Sequence, residues 1–214
     1  MSSPFEERYQ HILRNNITPL LKDRMFARRG GTYFRRLDPL AWVIDIQRSQ
    51  FNDSTASEFT ANCGVSVRGV MSIYAGKESS SPRLWDCSII VRLGLLSEDR
   101  LDKWWRLTNE DDQGVVDAEI GGDIVLRLRR DGLPFLERFH TLDDVVTFLL
   151  TPRTAANRHG PTSRLISLVH AGIIAHLRGD LGQREALFSE AETLESKARI
   201  DSTVRIVRAR META

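Results

Sequence analysis

The chain has 214 residues, with 30 Lys plus Arg against 29 Asp plus Glu and a formal charge of +1. A chain of this length can bury roughly 70% of the surface its unfolded form exposes, so it needs neither metal nor disulfides to fold. The near-neutral balance excludes a global field that would gather nucleic acid or anionic membrane, and any basic site has to be local.

Two cysteines, Cys63 and Cys87, are too few for a disulfide framework. Both fall in expected strands, which points to a reducing compartment where buried thiols act as small apolar residues. The opening MSSPFEERYQ has no apolar run preceded by positive charge, and no uncharged apolar stretch reaches about 18 residues. A soluble cytoplasmic protein is expected.

Ser3, Pro4 and Glu6 read as an N-cap, a first-turn proline and the far side of a capping box, opening a helix with Phe5, Tyr9, Ile12 and Leu13 on one face. Pro19 disfavours helix at Thr18, so a kink or restart carries Leu20, Leu21 and Met25. After Gly30 and Gly31 come three segments of alternating character, TYFRRLD, AWVIDIQRS and EFTANCGVSVR. A period of two places successive side chains on opposite faces of a sheet. In the second segment Trp42, Ile44 and Ile46 oppose Val43, Asp45 and Gln47; in the third Phe59, Ala61, Cys63, Val65 and Val67 oppose Thr60, Asn62, Ser66 and Arg68. A fourth strand is expected over Trp85 to Leu93, after a turn-rich surface loop, AGKESSSPR.

Helix is expected after Leu96, starting at Ser97 and carrying Leu101, Trp104 and Trp105, then from Gly114 to Arg130, where Gly132 and Pro134 stop it. Thr141 caps a helix from Leu142 to Leu150, with Asp143 and Asp144 in the turn that the helix dipole favours. Residues 151–162, TPRTAANRHGPT, read as a linker. Beyond it, helices from Leu165 to Leu177 and from Arg184 to Ala198 form an antiparallel hairpin, with a short third helix from Asp201. The expected architecture is α+β: an α+β domain over 1–150 with a sheet of about four antiparallel strands packed by helices on one side, and a helical hairpin over 163–214 packed on it.

The ordered pieces RMFARRGGTYFRR, WVIDIQRSQ, FTANCGV, WDCSIIVRLG, DKWWRL and GLPFLERF resemble the bacterial domain of unknown function 4304 family over about residues 5 to 150. The resemblance implies an α+β domain with a small antiparallel sheet and supplies no activity. The family tends to carry a Gly-Phe pair at the end of its first helical region, and here Met25 stands in place of that glycine.

No catalytic set is legible. The five histidines, His11, His140, His159, His170 and His176, form no nucleophile-base motif. The last two are six apart and miss the spacing of a metal pair, so neither metal nor cofactor is expected. The acids Glu110, Asp111 and Asp112 read as a solvated loop, and Asp143 with Asp144 as a helix start. Arg28, Arg29, Arg35 and Arg36 flank Tyr33 and Phe34, a mix that single strands of nucleic acid favour, but the neutral balance argues against that use. Trp104 and Trp105 read as core or as a partner anchor.

The strongest constellation is the polar sheet side: Arg35, Asp45, Gln47, Thr60, Asn62 and Arg68 converge if the strands pair side by side. Amides amid apolar strands have to meet water or a hydrogen-bond partner. The leading expectation is a non-enzymatic binding module with a protein partner, toxin-neutralising or defence-associated, using this face or the loop from Gly76 to Arg83. The alternatives are a small-molecule or nucleotide enzyme built on Asp45, Gln47 and Asn62, and nucleic-acid binding. The sequence specifies no oligomeric state.

Overall fold

The computed structural model describes residues 4–152, 163–198 and 202–213. Ser3, His159, Asp201 and most of the expected linker fall outside these. In chain order the elements are α1 (Pro4–Ile12), a π turn (Leu13–Ile17), α2 (Thr18–Asp23), β1 (Ala27–Arg29), β2 (Thr32–Arg36), β3 (Leu40–Arg48), β4 (Ala56–Val67), α3 (Val70–Ala75), β5 (Ile89–Arg92) and β6 (Trp105–Thr108). Then follow α4 (Gln113–Arg127), a second π turn (Leu128–Gly132), α5 (Leu133–Leu136), α6 (Leu142–Leu150), α7 (Arg164–Leu177), α8 (Leu181–Ala198) and α9 (Thr203–Met211). The fold is α+β, with an antiparallel sheet of six strands in the order β1-β2-β3-β4-β5 and β6 paired to β4. No described helix is long and apolar enough to cross a membrane.

Three local expectations are corrected. Trp104 and Trp105 do not ride a helix: Trp105 opens β6, which pairs antiparallel with the start of β4, Phe59 opposite Trp105 and Ala56 opposite Thr108. Long-range pairing outweighs the local helical pattern there, and Gly94 permits it, since a Cβ at that position would lie 2.3 Å from the Leu101 carbonyl oxygen. The strand expected from Trp85 begins only at Ile89; Trp85 sits in a short 3-10 turn, Leu84–Asp86. Beyond the expected strands there is one more, β1, which pairs with β2 across the Gly30-Gly31 turn, Arg29 facing Thr32.

The third correction concerns proline. Pro134 does not end the α4 helix; the chain widens into a π turn, Leu133 N–H bonds to Leu128 O, and helix resumes as α5. Pro19 is handled the same way, with Thr18 N–H reaching Leu13 O at the close of the first π turn. A widened turn absorbs a missing donor without breaking the rod.

Contact density divides the chain into two compact units. One comprises the chain up to Arg35, Val43–Cys63 and Val91–Arg138; the other comprises Arg36–Trp42, Gly64–Ile90 and the chain from Phe139. In the first, α1 and its π turn pack on α4, where the absent side chain of Gly121 leaves room for Asn16. Tyr9 meets Phe59 edge to face at 5.4 Å and donates to Ile46 O at 2.6 Å. Gly31 is required beside that bond, because a Cβ would fall 2.6 Å from the Tyr9 hydroxyl. Phe5, Ile12, Leu13, Ile17, Leu107 and Ile124 complete this core, each fully buried apolar side chain stabilising by about 1.5–3 kcal/mol.

In the second unit α7 is the buried rod: every residue from Ser167 to Ala175 is shielded, against α8, α6 and α3. Gly172 lets Phe188 approach so closely that a Cβ would lie 2.5 Å from its ring. Helix α6 begins as expected, with Thr141 Oγ1 accepting from Asp144 N–H at 3.1 Å and the Asp144 carboxylate accepting from Thr141 N–H at 2.8 Å. Arg210 of α9 donates to the carbonyls of Ile73 and Tyr74, fixing α9 to the end of α3.

Candidate functional site

Strands β3 and β4 bring together part of the expected polar set. Asn62, only 2% exposed, donates its side-chain amide to Gln47 Oε1 at 3.1 Å, and Gln47 itself faces water. The Asp45 carboxylate accepts from the Thr32 hydroxyl at 2.5 Å. Desolvation raises its pKa, against a smaller downward pull from that hydrogen bond. Thr60 is buried and donates to Lys103 O at 2.8 Å, so its hydroxyl holds the segment leading into β6. Arg35 lies half-buried on β2. Arg68 does not join this group; it belongs to the second unit, one residue beyond β4.

There Arg68 lines a cleft of about 420 Å³, built wholly from the second unit. The end of β2, the turn and the start of β3 supply Arg36, Asp38, Pro39, Leu40 and Ala41; β4 supplies Ser66, with Arg68 just past it; the loop after α3 supplies Glu78, Ser79, Ser80 and Pro82. Backbone bonds fix the first two parts, Leu37 N–H to Leu40 O at 2.8 Å and Arg68 N–H to Pro39 O at 2.9 Å. The third is tied by Glu78, whose Oε1 accepts from Gly69 N–H at 2.7 Å, and by a turn in which Ser79 Oγ donates to Ser81 O. Gly69 takes φ +89°, a conformation open to glycine, and from it α3 departs.

Electrostatically the rim is mixed. Arg68 meets Asp38 at 2.7 Å with both side chains 68% exposed, so the pair is worth only about 0–1 kcal/mol. Arg36 is exposed and has no carboxylate partner among the described residues. Just past the loop, Arg83 stacks over Trp85 at 5.0 Å, and Trp85 is 65% exposed. The lining pairs no serine with a histidine or cysteine.

Other chemistry-bearing groups are engaged. Arg28 donates to Gly30 O, Thr18 and Gln10 and lies over Tyr33, which is core. Cys63 and Cys87 are buried and not joined in a disulfide, and burial pushes the Cys63 thiol up to about 12. No cluster of three metal-ligating side chains occurs among the described residues. A smaller hollow of about 170 Å³ at His176, Arg184 and Arg208 is already neutralised, Arg184 by Glu185 and Arg208 by Glu185 and Glu192.

Two features escape the sequence reading. Asp111 is no solvated acid: with Asp117 it encloses the buried Arg8, whose guanidinium donates to Asp117 at 2.7 Å, Asp111 at 3.0 Å and Thr108 O at 2.8 Å. Arg8 belongs to α1, and its partners lie 100 to 109 residues away. His170 is 4% exposed with both ring nitrogens unbonded, edge-on to Tyr74 at 4.8 Å; burial pushes it down to about 4.

No curated protein and no solved structure matches the chain. A family model described as Domain of unknown function (DUF4304) matches residues 17–138, more than half of the chain. Every residue lining the larger cleft falls inside that span, whereas α6 to α9 lie outside it. The chain therefore belongs to the DUF4304 family.

Proposed function

We propose that this is a non-enzymatic cytoplasmic interaction module that takes a segment of a partner protein into the cleft between the Arg36 to Ala41 turn and the Glu78 to Pro82 loop. The observation that carries the reading is the cleft's make-up: an apolar floor of Pro39, Leu40, Ala41 and Pro82 under a rim of guanidinium, carboxylate and hydroxyl groups. Its size suits a few side chains, and its polar groups stand on strand ends and a tethered loop, which limits the ordering cost of binding. Of the polar strand residues, Arg68 works at the rim in this reading. Asn62 and Thr60, turned inward, shape the strand, while Arg35, Asp45 and Gln47 remain on its wetter part. Neutralisation of a toxin, or another defence role, is the biological setting that fits such a module.

A peptide-display selection on the purified chain tests this. Enriched peptides should lose binding to Ser80→Trp, which fills the cleft from an exposed lining position. Peptides that bind this variant as well as the parent would refute the assignment.

A second reading, an enzyme acting on a small molecule or nucleotide through Asp45, Gln47 and Asn62, has one observation in its favour: Asp45 is desolvated and its carboxyl raised. Tight binding of a small metabolite abolished by Asp45→Asn, with no protein partner found, would favour it.

A further inference from the structure

We infer that the segment taken by this cleft is acidic, with a carboxylate seated on Arg36 and apolar neighbours on the floor; the inference rests on the proposed binding role of the cleft. The two carboxylates of the rim are already committed, Asp38 to Arg68 and Glu78 to the backbone of Gly69. Arg36 has no such acceptor among the described residues. In the free protein water solvates it at no cost. A ligand that covers Pro39, Leu40, Ala41 and Pro82 displaces that water and lowers the local dielectric, and a guanidinium left unpaired under those conditions is heavily penalised.

Any occupant therefore has to bring an acceptor to Arg36, and an anionic one gives a charge-assisted, two-pronged bond. A cation at the same place would face the Arg36 guanidinium, which has no carboxylate partner among the described residues. The apolar floor selects a carboxylate on a peptide over free phosphate, because only a chain with neighbouring side chains covers it.

The test uses the full chain, with end-blocked tripeptides in which leucines flank glutamate, glutamine or lysine, and inorganic phosphate as a fourth probe, followed by NMR of the arginine side-chain and backbone amide signals. The glutamate peptide should bind about tenfold more tightly than the glutamine peptide, the difference of one charge-assisted bond. That advantage should fade with added salt and vanish in Arg36→Gln, while Arg24→Gln, an exposed arginine elsewhere, keeps it. Equal binding of the glutamate and glutamine peptides would overturn the inference and leave the peptide-binding role intact. Phosphate binding more tightly than the glutamate peptide, in an Arg36-dependent way, would overturn it in favour of a phosphate ligand. If no probe moves the signals of Ser66, Ser79 or Ser80, both the acidic ligand and the cleft's binding role fall.

Discussion

Asn62 and Gln47 form a bridge from core to surface: the amide of a residue 2% exposed donates to the side-chain oxygen of one that faces water, at 3.1 Å. Removing the exposed partner should cost more than exposure suggests, because the buried amide loses its acceptor. Gln47→Ala is expected to destabilise by about 1–2 kcal/mol in urea unfolding, with a coupling to Asn62→Ala of about 1 kcal/mol in the double-mutant cycle. Coupling below about 0.3 kcal/mol would mean that water already serves Asn62.

Arg8 is held between Asp117 and Asp111, with side-chain exposures of 6%, 8% and 16%. Truncation of the cation leaves acids without their charge partner. Arg8→Leu should lower unfolding free energy by about 3–5 kcal/mol, read from urea midpoints at neutral pH. A loss under about 1 kcal/mol would show that the acids are relieved by water.

These two relations mark the limit of what the chain discloses before folding. Alternation exposed β2, β3 and β4, and the Thr141 to Asp144 pattern announced α6, because both signals are local. Trp105 misled because its neighbours read as helix while its strand partner lies at 56–59. Arg8 gave no signal, because a charge on an amphipathic helix cannot be told from a solvated one unless its acids are adjacent in sequence. The cleft was half legible: Arg68 and the loop from Gly76 were singled out, but their meeting with Asp38 and Pro39 joins three segments that only the sheet aligns.

Met25 adopts φ 63° with its side chain 77% exposed, at the position where the family tends to place glycine. A left-handed conformation costs a residue with a Cβ roughly 1–2 kcal/mol, partly offset by the extra freedom glycine has when unfolded. Met25→Gly should therefore stabilise by about 0.5–1 kcal/mol in thermal or urea unfolding. Destabilisation would show that the methionine side chain has contacts that outweigh the backbone strain.

His170 gives a pH dependence whose sign is fixed. Burial holds it down to about 4, while an unfolded histidine titrates near about 6.5. Between these values the unfolded chain binds the extra proton, so stability present above about pH 6.5 is lost as pH falls toward about 4, by about 3 kcal/mol in all. Asp111 and Asp144 prolong the loss further into acid. Burial raises the Asp111 carboxyl, but hydrogen bonds from Thr108 and Arg8 bring it below its ordinary range; backbone donors at His140 and Thr141 lower Asp144. Stability of His170→Phe measured from pH 7 to pH 4 should be flatter by about one proton. An unchanged slope would place the titration elsewhere.

The cleft as the binding face is tested most directly by hydrogen exchange on the full chain with and without a saturating peptide from the display selection. Protection is expected at Leu37, Leu40 and Ala41, at Ser66 to Gly69, and at Lys77 to Ser81, and nowhere else of comparable size. Protection concentrated instead on β1, β2 and the Asp45 to Gln47 side of β3, with the Lys77 to Ser81 amides unchanged, would contradict it.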